Sequence, residues 1–172
     1  MALKRSLDYE SVAHPFGPVY DSRSKILILG SFPSVKSREQ NFYYGHPMNR
    51  FWKVLARIYN ETYPKTIDDK RKLCLEHHIA LYDAIGSCDI RGSSDVSIKN
   101  VVPTDIKAIL DESFIQLIVL NGKKSYETFC KYQLANIPPD IRVVCLPSTS
   151  PANAACSFDE LLKTWGSALS SL

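Results

Sequence analysis

Between Ser31 and Asn49 the chain reads SFPSVKSREQNFYYGHPMN, a stretch dense in hydroxyls, amides and aromatics. The amide of Asn49 and the imidazole of His46 can donate or accept hydrogen bonds and orient a water molecule, and the rings of Tyr43 and Tyr44 can stack on a flat ligand. Pro47 prevents a helix from running through the tyrosines, so irregular backbone is expected there. Two plainer readings stand beside these. Phe42, Tyr43 and Tyr44 can simply cover the core beneath the loop, and Asn49, just before Arg50-Phe51-Trp52, can cap a helix. A cap on the rim of a site does not exclude a part in its chemistry. A second cluster, Ser148-Thr149-Ser150, carries hydroxyls with no neighbouring His or acid, which suits hydrogen bonding to phosphate or backbone better than nucleophilic attack. The Asn121-Gly122-Lys123-Lys124 turn opens a helix, where anions bind readily, and a structural turn explains it equally well.

Other chemistries lack their residues. The chain contains no G-x-S-x-G, no G-x-x-x-x-G-K-[ST] and no G-x-G-x-x-G, which removes the usual serine hydrolase, P-loop and dinucleotide readings. The five cysteines include no C-x-x-C pair and are odd in number, and the four histidines include no H-E-x-x-H. Reduced, mostly buried thiols, no metal and no cofactor are expected.

The elements that must position these loops follow a repeated grammar. Lys25 to Leu29, Ile79 to Ile85, Ile115 to Leu120 and Ile141 to Leu146 are short apolar runs, each ending in small polar residues. Helical spacing separates them over Phe51 to Tyr59, Asp68 to His77, Thr104 to Leu110 and Ser125 to Tyr132. A final helix is announced by the Ser157…Glu160 capping box before Leu161, Leu162, Trp165 and Leu169. Alternation of strand and helix predicts an α/β three-layer sandwich, with a central four-stranded parallel sheet flanked by helices. In such sheets ligands bind beyond the carboxyl ends of the strands. One rim should therefore gather residues 30–37, 86–95, 121–124 and 147–153. Asp83, at the end of the second strand, can face that rim or serve the turn.

At 172 residues the chain is expected to form one domain, spanning 1–172. No run approaches the ~18 apolar residues of a membrane helix, and MALKRSLDYESVAHPF has no apolar block for a secretory signal. A monomer without membrane association is expected, cytoplasmic in a bacterium or archaeon and nuclear in a eukaryote. A net charge of +3 permits an anionic partner, and the longest basic cluster, Lys70-Arg71-Lys72, makes any nucleic-acid contact local.

Four runs together carry a resemblance: LILGSFPSVKS (27–37), NFYYGHPMNRFWKVL (41–55), LNGKKS (120–125) and LPSTSPANA (146–154). In order and spacing they resemble the uracil-DNA glycosylase superfamily, and the GSFPS and LPSTSPANA forms are similar to its hypoxanthine-DNA (deoxyinosine) glycosylase branch. The resemblance implies a DNA repair enzyme that flips a deaminated base out of the duplex and hydrolyses its glycosidic bond, leaving an abasic site. By the same resemblance Ser31, Phe32, Pro33 and Ser34 form a pocket wall, Tyr44 stacks on the flipped base and His46 adjoins it. Ser148, Thr149, Ser150, Pro151 and Asn153 meet the opened duplex. Lys36, Ser37 and Lys123 join them as candidate DNA contacts. Where mismatch-type relatives have G-I-N-P-G with an Asn that orients water, this chain has Phe32, which cannot do so. Asn49 is then the candidate catalytic amide, positioning water or orienting the base. Inosine-containing DNA is the expected substrate and partner; a uracil or mismatch glycosylase and a noncatalytic binding module of the same fold are the alternatives.

Overall fold

Apolar runs punctuated by Gly, Asn and Pro become the strands of a parallel sheet. The computed structural model describes residues 8–172, so the first seven residues of the amino-terminal stretch read above for a signal, and of the 1–172 domain, lie outside it. In chain order the elements are β1 (Glu10–Ala13), β2 (Ile26–Gly30), α1 (Val35–Gln40), α2 (Phe51–Ile58), α3 (Ile67–Glu76), β3 (Ile79–Asp83) and β4 (Ile85–Ile90). They continue with β5 (Lys99–Pro103), α4 (Lys107–Glu112), β6 (Leu117–Asn121), α5 (Lys123–Tyr132), β7 (Arg142–Leu146) and α6 (Phe158–Leu169).

The central sheet has the order β3-β2-β6-β7, and each neighbouring pair is parallel. Every residue of β2 and β6 is buried, because helices cover both faces of the two inner strands. The period of two divides their side chains. Ile26, Ile28, Leu117 and Val119 face α2, α3 and α6 through Phe51, Trp52, Val54, Leu55, Leu73, Leu161 and Trp165. Leu27, Leu29, Ile118 and Leu120 face α4 and α5 through Ile109 and Phe129. Both long-range helix starts are fixed by capping boxes, Thr66 with Asp69 at α3 and Ser157 with Glu160 at α6. The expected four-stranded parallel sheet between helices is therefore present.

Three features differ from the sequence reading. The single strand expected over Ile79 to Ile85 breaks at Ala84, whose backbone N–H donates to the Gly30 carbonyl at 2.7 Å. From Ile85 the chain enters a second, antiparallel sheet of order β1-β4-β5. The run gave no sign of the break because Ile85, Cys88 and Ile90 stay apolar to bury against Phe32 and Ile98 in a satellite core. The stretch from Ser31 to Asn49 contains α1, capped by Ser34, whose hydroxyl accepts from the Ser37 N–H. The thiols, all unpaired, are less uniformly buried than expected: Cys74 and Cys88 are buried, Cys130 and Cys156 intermediate, and Cys145 exposed. Among the described residues no helix is long and apolar enough to cross a membrane.

Trp165 ties α6 to both the core and the last loop. It is fully buried, meets Phe51 edge-on at 6.0 Å, and its indole N–H donates to the Pro147 carbonyl at 3.0 Å. Trp165→Ala should lower unfolding free energy by about 3–5 kcal/mol, read as a fall in the urea midpoint without a change in slope.

Candidate functional site

The carboxyl ends of β2, β3, β6 and β7 are Gly30, Asp83, Asn121 and Leu146, and the loops that leave them enclose one cleft of about 310 Å³. Of the residues named from sequence, Ser31, Phe32, Pro33, Ser34, Ser37, Tyr44, His46, Asn49, Ser148, Thr149, Ser150 and Pro151 line it. Lys36, Lys123 and Asn153 do not. Lys36 pairs with Glu39 at 3.4 Å and Lys123 with Glu127 at 3.7 Å, both on the exposed outside of their helices. Asn153 braces the last loop, donating from its amide to the Ser148 carbonyl at 3.0 Å. Among the described residues no lysine lines the cleft, and no group of three or more His, Cys, Asp or Glu side chains is disposed to hold a metal ion.

The aromatic run splits in its duties. Phe42 and Tyr43 belong to the core, although Tyr43 also borders the cleft, and the Tyr43 hydroxyl donates to the Gly17 carbonyl at 2.8 Å. Tyr44 takes a left-handed backbone, φ 54°, and turns its ring into the cleft with one face on Phe51, centroids 3.9 Å apart. Such a conformation is costly for a tyrosine and persists only where packing enforces it. Its hydroxyl is buried without a hydrogen-bond partner, the Asn121 amide lying nearby without aligned geometry. Burial first, and then the negative charge of Asp83, push the phenol pKa far above its ordinary value, so the group remains an O–H donor.

Asn49 lies one residue before Arg50, the N-cap of α2, and serves the helix start from there while keeping a group in reserve. Its Oδ1 accepts from the Phe51 N–H at 3.0 Å. That contact orients the amide, because only the oxygen can accept, and leaves the NH₂ group as the free donor. His46 is oriented the same way. Its Nδ1 accepts from the Met48 N–H at 3.1 Å, so Nε2 carries the proton and is the donor left over.

The last loop is held by contacts the sequence reading did not foresee. Asn121 accepts from the Thr149 N–H and donates to the Thr149 hydroxyl, both at 3.1 Å. Thr149 is fully buried with that hydroxyl engaged, which sets it behind the rim. The guanidinium of Arg50 donates to the carbonyls of Ser150, Asn153 and Cys156, while the Arg50 N–H donates to the Thr149 carbonyl. Arg50 therefore joins the start of α2, beside Asn49, to the loop across the cleft.

Three acidic or basic side chains at the cleft also escaped the sequence reading wholly or in part. His14 Nε2 lies 2.7 Å from Asp83 Oδ2, with the two side chains 4% and 5% exposed. Asp83 lines the cleft floor, whereas His14 stands behind it, stacked on Tyr82 at 5.3 Å. Sequence showed Asp83 at a strand end; nothing in it pointed to a histidine 69 residues away. Asp95 arrives from the other sheet and accepts from the Ser31 hydroxyl at 2.9 Å.

Desolvation by the cleft walls pushes the Asp95 carboxyl pKa above its ordinary value near 3.8, against the opposing pull of the Ser31 hydrogen bond and the Lys124 ammonium. An acid whose pKa is higher folded than unfolded favours the folded state below the ordinary value, and loses that contribution as pH rises through the raised one. Because Asp95 is exposed overall, solvent screens much of this effect, and Asp95→Asn, which keeps an acceptor for Ser31, should melt only slightly above the wild-type protein at pH 7. The difference should shrink as the pH falls toward 3.8.

This geometry has relatives. A hypoxanthine DNA glycosylase from Methanosarcina barkeri is 35% identical over 114 residues, 65% of this chain and 72% of that one. Another from Methanosarcina acetivorans is 31% identical over 140 residues, 80% of this chain and 86% of that one. The solution NMR structure of a Methanosarcina acetivorans protein described as a candidate uracil DNA glycosylase superposes with a TM-score of 0.76 at 28% identity, covering 90% of this chain and 94% of that one. Residues 18–167 match the uracil DNA glycosylase superfamily, and with those residues forming the sheet and every wall of the cleft, the chain belongs to that family.

Proposed function

We propose that this chain is a single-domain, monofunctional DNA glycosylase that hydrolyses the bond between deoxyribose and hypoxanthine in DNA, leaving an abasic site. The observation that carries the reading is the convergence of residues 30–34, Tyr44, Asn49 and the Ser148 to Pro151 loop on one cleft. Two proteins similar to this chain over most of its length are hypoxanthine DNA glycosylases, which supports the same reading. At about 310 Å³ the cleft is at the small end of ligand pockets, room for one base taken out of its stack.

The chemistry asks for dipoles more than for a base. As the glycosidic bond breaks, its electron pair leaves with the purine and positive charge grows on the sugar carbon, to which water adds. Donors aimed at the departing base lower the barrier because that is where negative charge develops. The free NH₂ of Asn49 and the Nε2–H of His46 are such donors, each oriented by a backbone N–H on its other polar atom. Between the two roles named for Asn49 from sequence, orienting the base fits its free NH₂, since Oδ1 is already engaged. Tyr44, backed by Phe51 on one face, offers the other to a flipped ring. Lysine attack on the sugar is disfavoured by the positions of Lys36 and Lys123 outside the cleft, which supports hydrolysis without a Schiff base. Ser148 and Ser150, on the rim, can meet phosphates of the opened strand in this reading.

Oligonucleotides identical except for one inosine, uracil or adenine, incubated with excess enzyme and then treated with alkali, test the reading. Strand breaks at inosine are expected; none on any substrate would overturn it, and breaks at uracil alone would reassign the base. Asn49→Ala should slow inosine excision about 10²–10³-fold, as loss of one transition-state donor does, with DNA binding retained.

A further inference from the structure

The His14–Asp83 pair is buried, touches the cleft floor and has no part in the mechanism above. Its geometry is unusual. Asp83 ends β3 at 4% exposure, and only one of its oxygens, Oδ2, is satisfied, by His14 at 2.7 Å. Oδ1 lies directly over Gly30, its neighbour in the β2–β3 register, where a Cβ would come within 2.4 Å of it. Among the described residues no donor reaches Oδ1. The unpartnered Tyr44 hydroxyl borders the same spot, 3.2 Å from that Cβ position. Oδ1 therefore opens on the cleft without a protein donor, and the partner that suits a carboxylate oxygen there is one that donates.

A flipped nucleotide keeps its sugar at the mouth of a pocket and sends its Watson–Crick edge deepest. Deamination changes that edge in one consistent way. The ring nitrogen that is a bare acceptor in adenine (N1) and cytosine (N3) becomes an N–H donor in hypoxanthine and uracil. A carboxylate can only accept. It therefore pairs with the deaminated base, and it meets the lone pair of the normal one with its own.

We propose that Asp83 is a specificity-determining residue that accepts the ring N–H created by deamination, and that His14 is the positioning residue that turns Oδ1 toward the base. This rests on the glycosylase reading and adds to it the chemical feature by which the cleft refuses adenine. His14 acts through Asp83 alone. With Oδ2 a pure acceptor, its Nε2 must be the donor, and its Nδ1 is buried with no partner. The ring is held by Tyr82, by Phe16 at 4.6 Å and by Phe32 at 6.1 Å, an aromatic cage that leaves it little freedom.

The test follows from the direction of the His14 hydrogen bond. In Asp83→Asn the His14 N–H can pair only with the amide oxygen, so the NH₂ group must face the cleft. The acceptor becomes a donor, opposed to inosine and matched to a ring nitrogen that accepts. Single-turnover excision is measured from duplexes carrying deoxyinosine or deoxynebularine, the latter having a bare N1 and no 6-substituent. Comparing variants by the inosine-to-nebularine ratio cancels the intrinsic lability of each bond. Asp83→Asn should lower that ratio at least about 100-fold, in line with the discrimination of sites built around one buried hydrogen bond. His14→Ala should lower it as well, and His14→Gln, which keeps an N–H donor, should recover part of the loss.

A ratio unchanged from wild type in Asp83→Asn, whether both rates fall together or neither does, would overturn the proposal. Should the buried substitutions not fold, the wild-type enzyme supplies the test from the substrate side. It should excise deoxyinosine and leave 1-methyldeoxyinosine, which lacks the N–H, and equal excision of the two would overturn the proposal. Absence of inosine excision by the wild-type enzyme is a separate result, which removes the glycosylase reading itself.

Discussion

Everything at the cleft depends on the parallel pairing of β2 with β3 on one side and β6 on the other. Parallel register brings Gly30 beside Asp83 and directs the end of β6 to the same rim, so that loops from distant parts of the chain leave the sheet side by side. The demand on Gly30 is a consequence. Its missing side chain is the space into which the Asp83 carboxylate leans, and any Cβ there would collide with Oδ1. Gly122 meets a matching demand on the other flank, with φ at 94° and Ser148 2.9 Å from where its Cβ would stand. The two glycines let the first and last loops approach closely enough to share one small cleft.

Much of this was legible in the sequence because it rests on local patterns. Short apolar runs ending in small polar residues or Pro are strands that both begin and stop for local reasons, and each of the four read from sequence forms a strand of the parallel sheet, the second only as far as Asp83. Residues 31–34, Tyr44, Asn49 and Ser148 to Pro151 were legible through their motifs, and they do meet in space. The antiparallel sheet was not. Its strands β1 and β5 are largely exposed, without an apolar period, and β4 continues the apolar run of β3 across a one-residue break. A register shift along β4 also spoils the alternation that would have marked it. His14 was hidden for a different reason: its meaning comes from Asp83, and no spacing rule joins residues so far apart.

The distribution of charge makes sense of a protein that is only mildly basic. The cleft floor holds Asp83, with Asp95 at its side; Lys36 and Lys123 are turned outward and paired with glutamates one helical turn away, while Lys124 stands close enough to Asp95 to pull on its carboxyl. Exposed pairs of this kind contribute little to stability. Such pairing offsets part of the positive charge near the cleft. On the proposed reading, selection falls to the pocket, where the edge of the base would meet Asp83.

The N-x-F-W run, Asn49 to Trp52, shows how one short motif performs several structural tasks. Asn49 caps the Phe51 N–H, and in doing so has its amide turned so that the NH₂ group is free. Arg50 crosses the cleft to gather the carbonyls of the last loop. Phe51 supports the ring of Tyr44, whose backbone is left-handed. Trp52 anchors the run, donating its indole N–H to the Tyr43 carbonyl at 3.1 Å. Each of these contacts exists before any ligand arrives, so the cost of orienting the donor, the stacking ring and the rim loop is met by folding. A site assembled in that way spends little of its binding energy on ordering itself, which is the condition for donors fixed in advance to act on the transition state. It also explains why the candidate catalytic amide sits on a helix start and not on a free loop. The backbone N–H that needs a cap is what holds the amide in its working orientation.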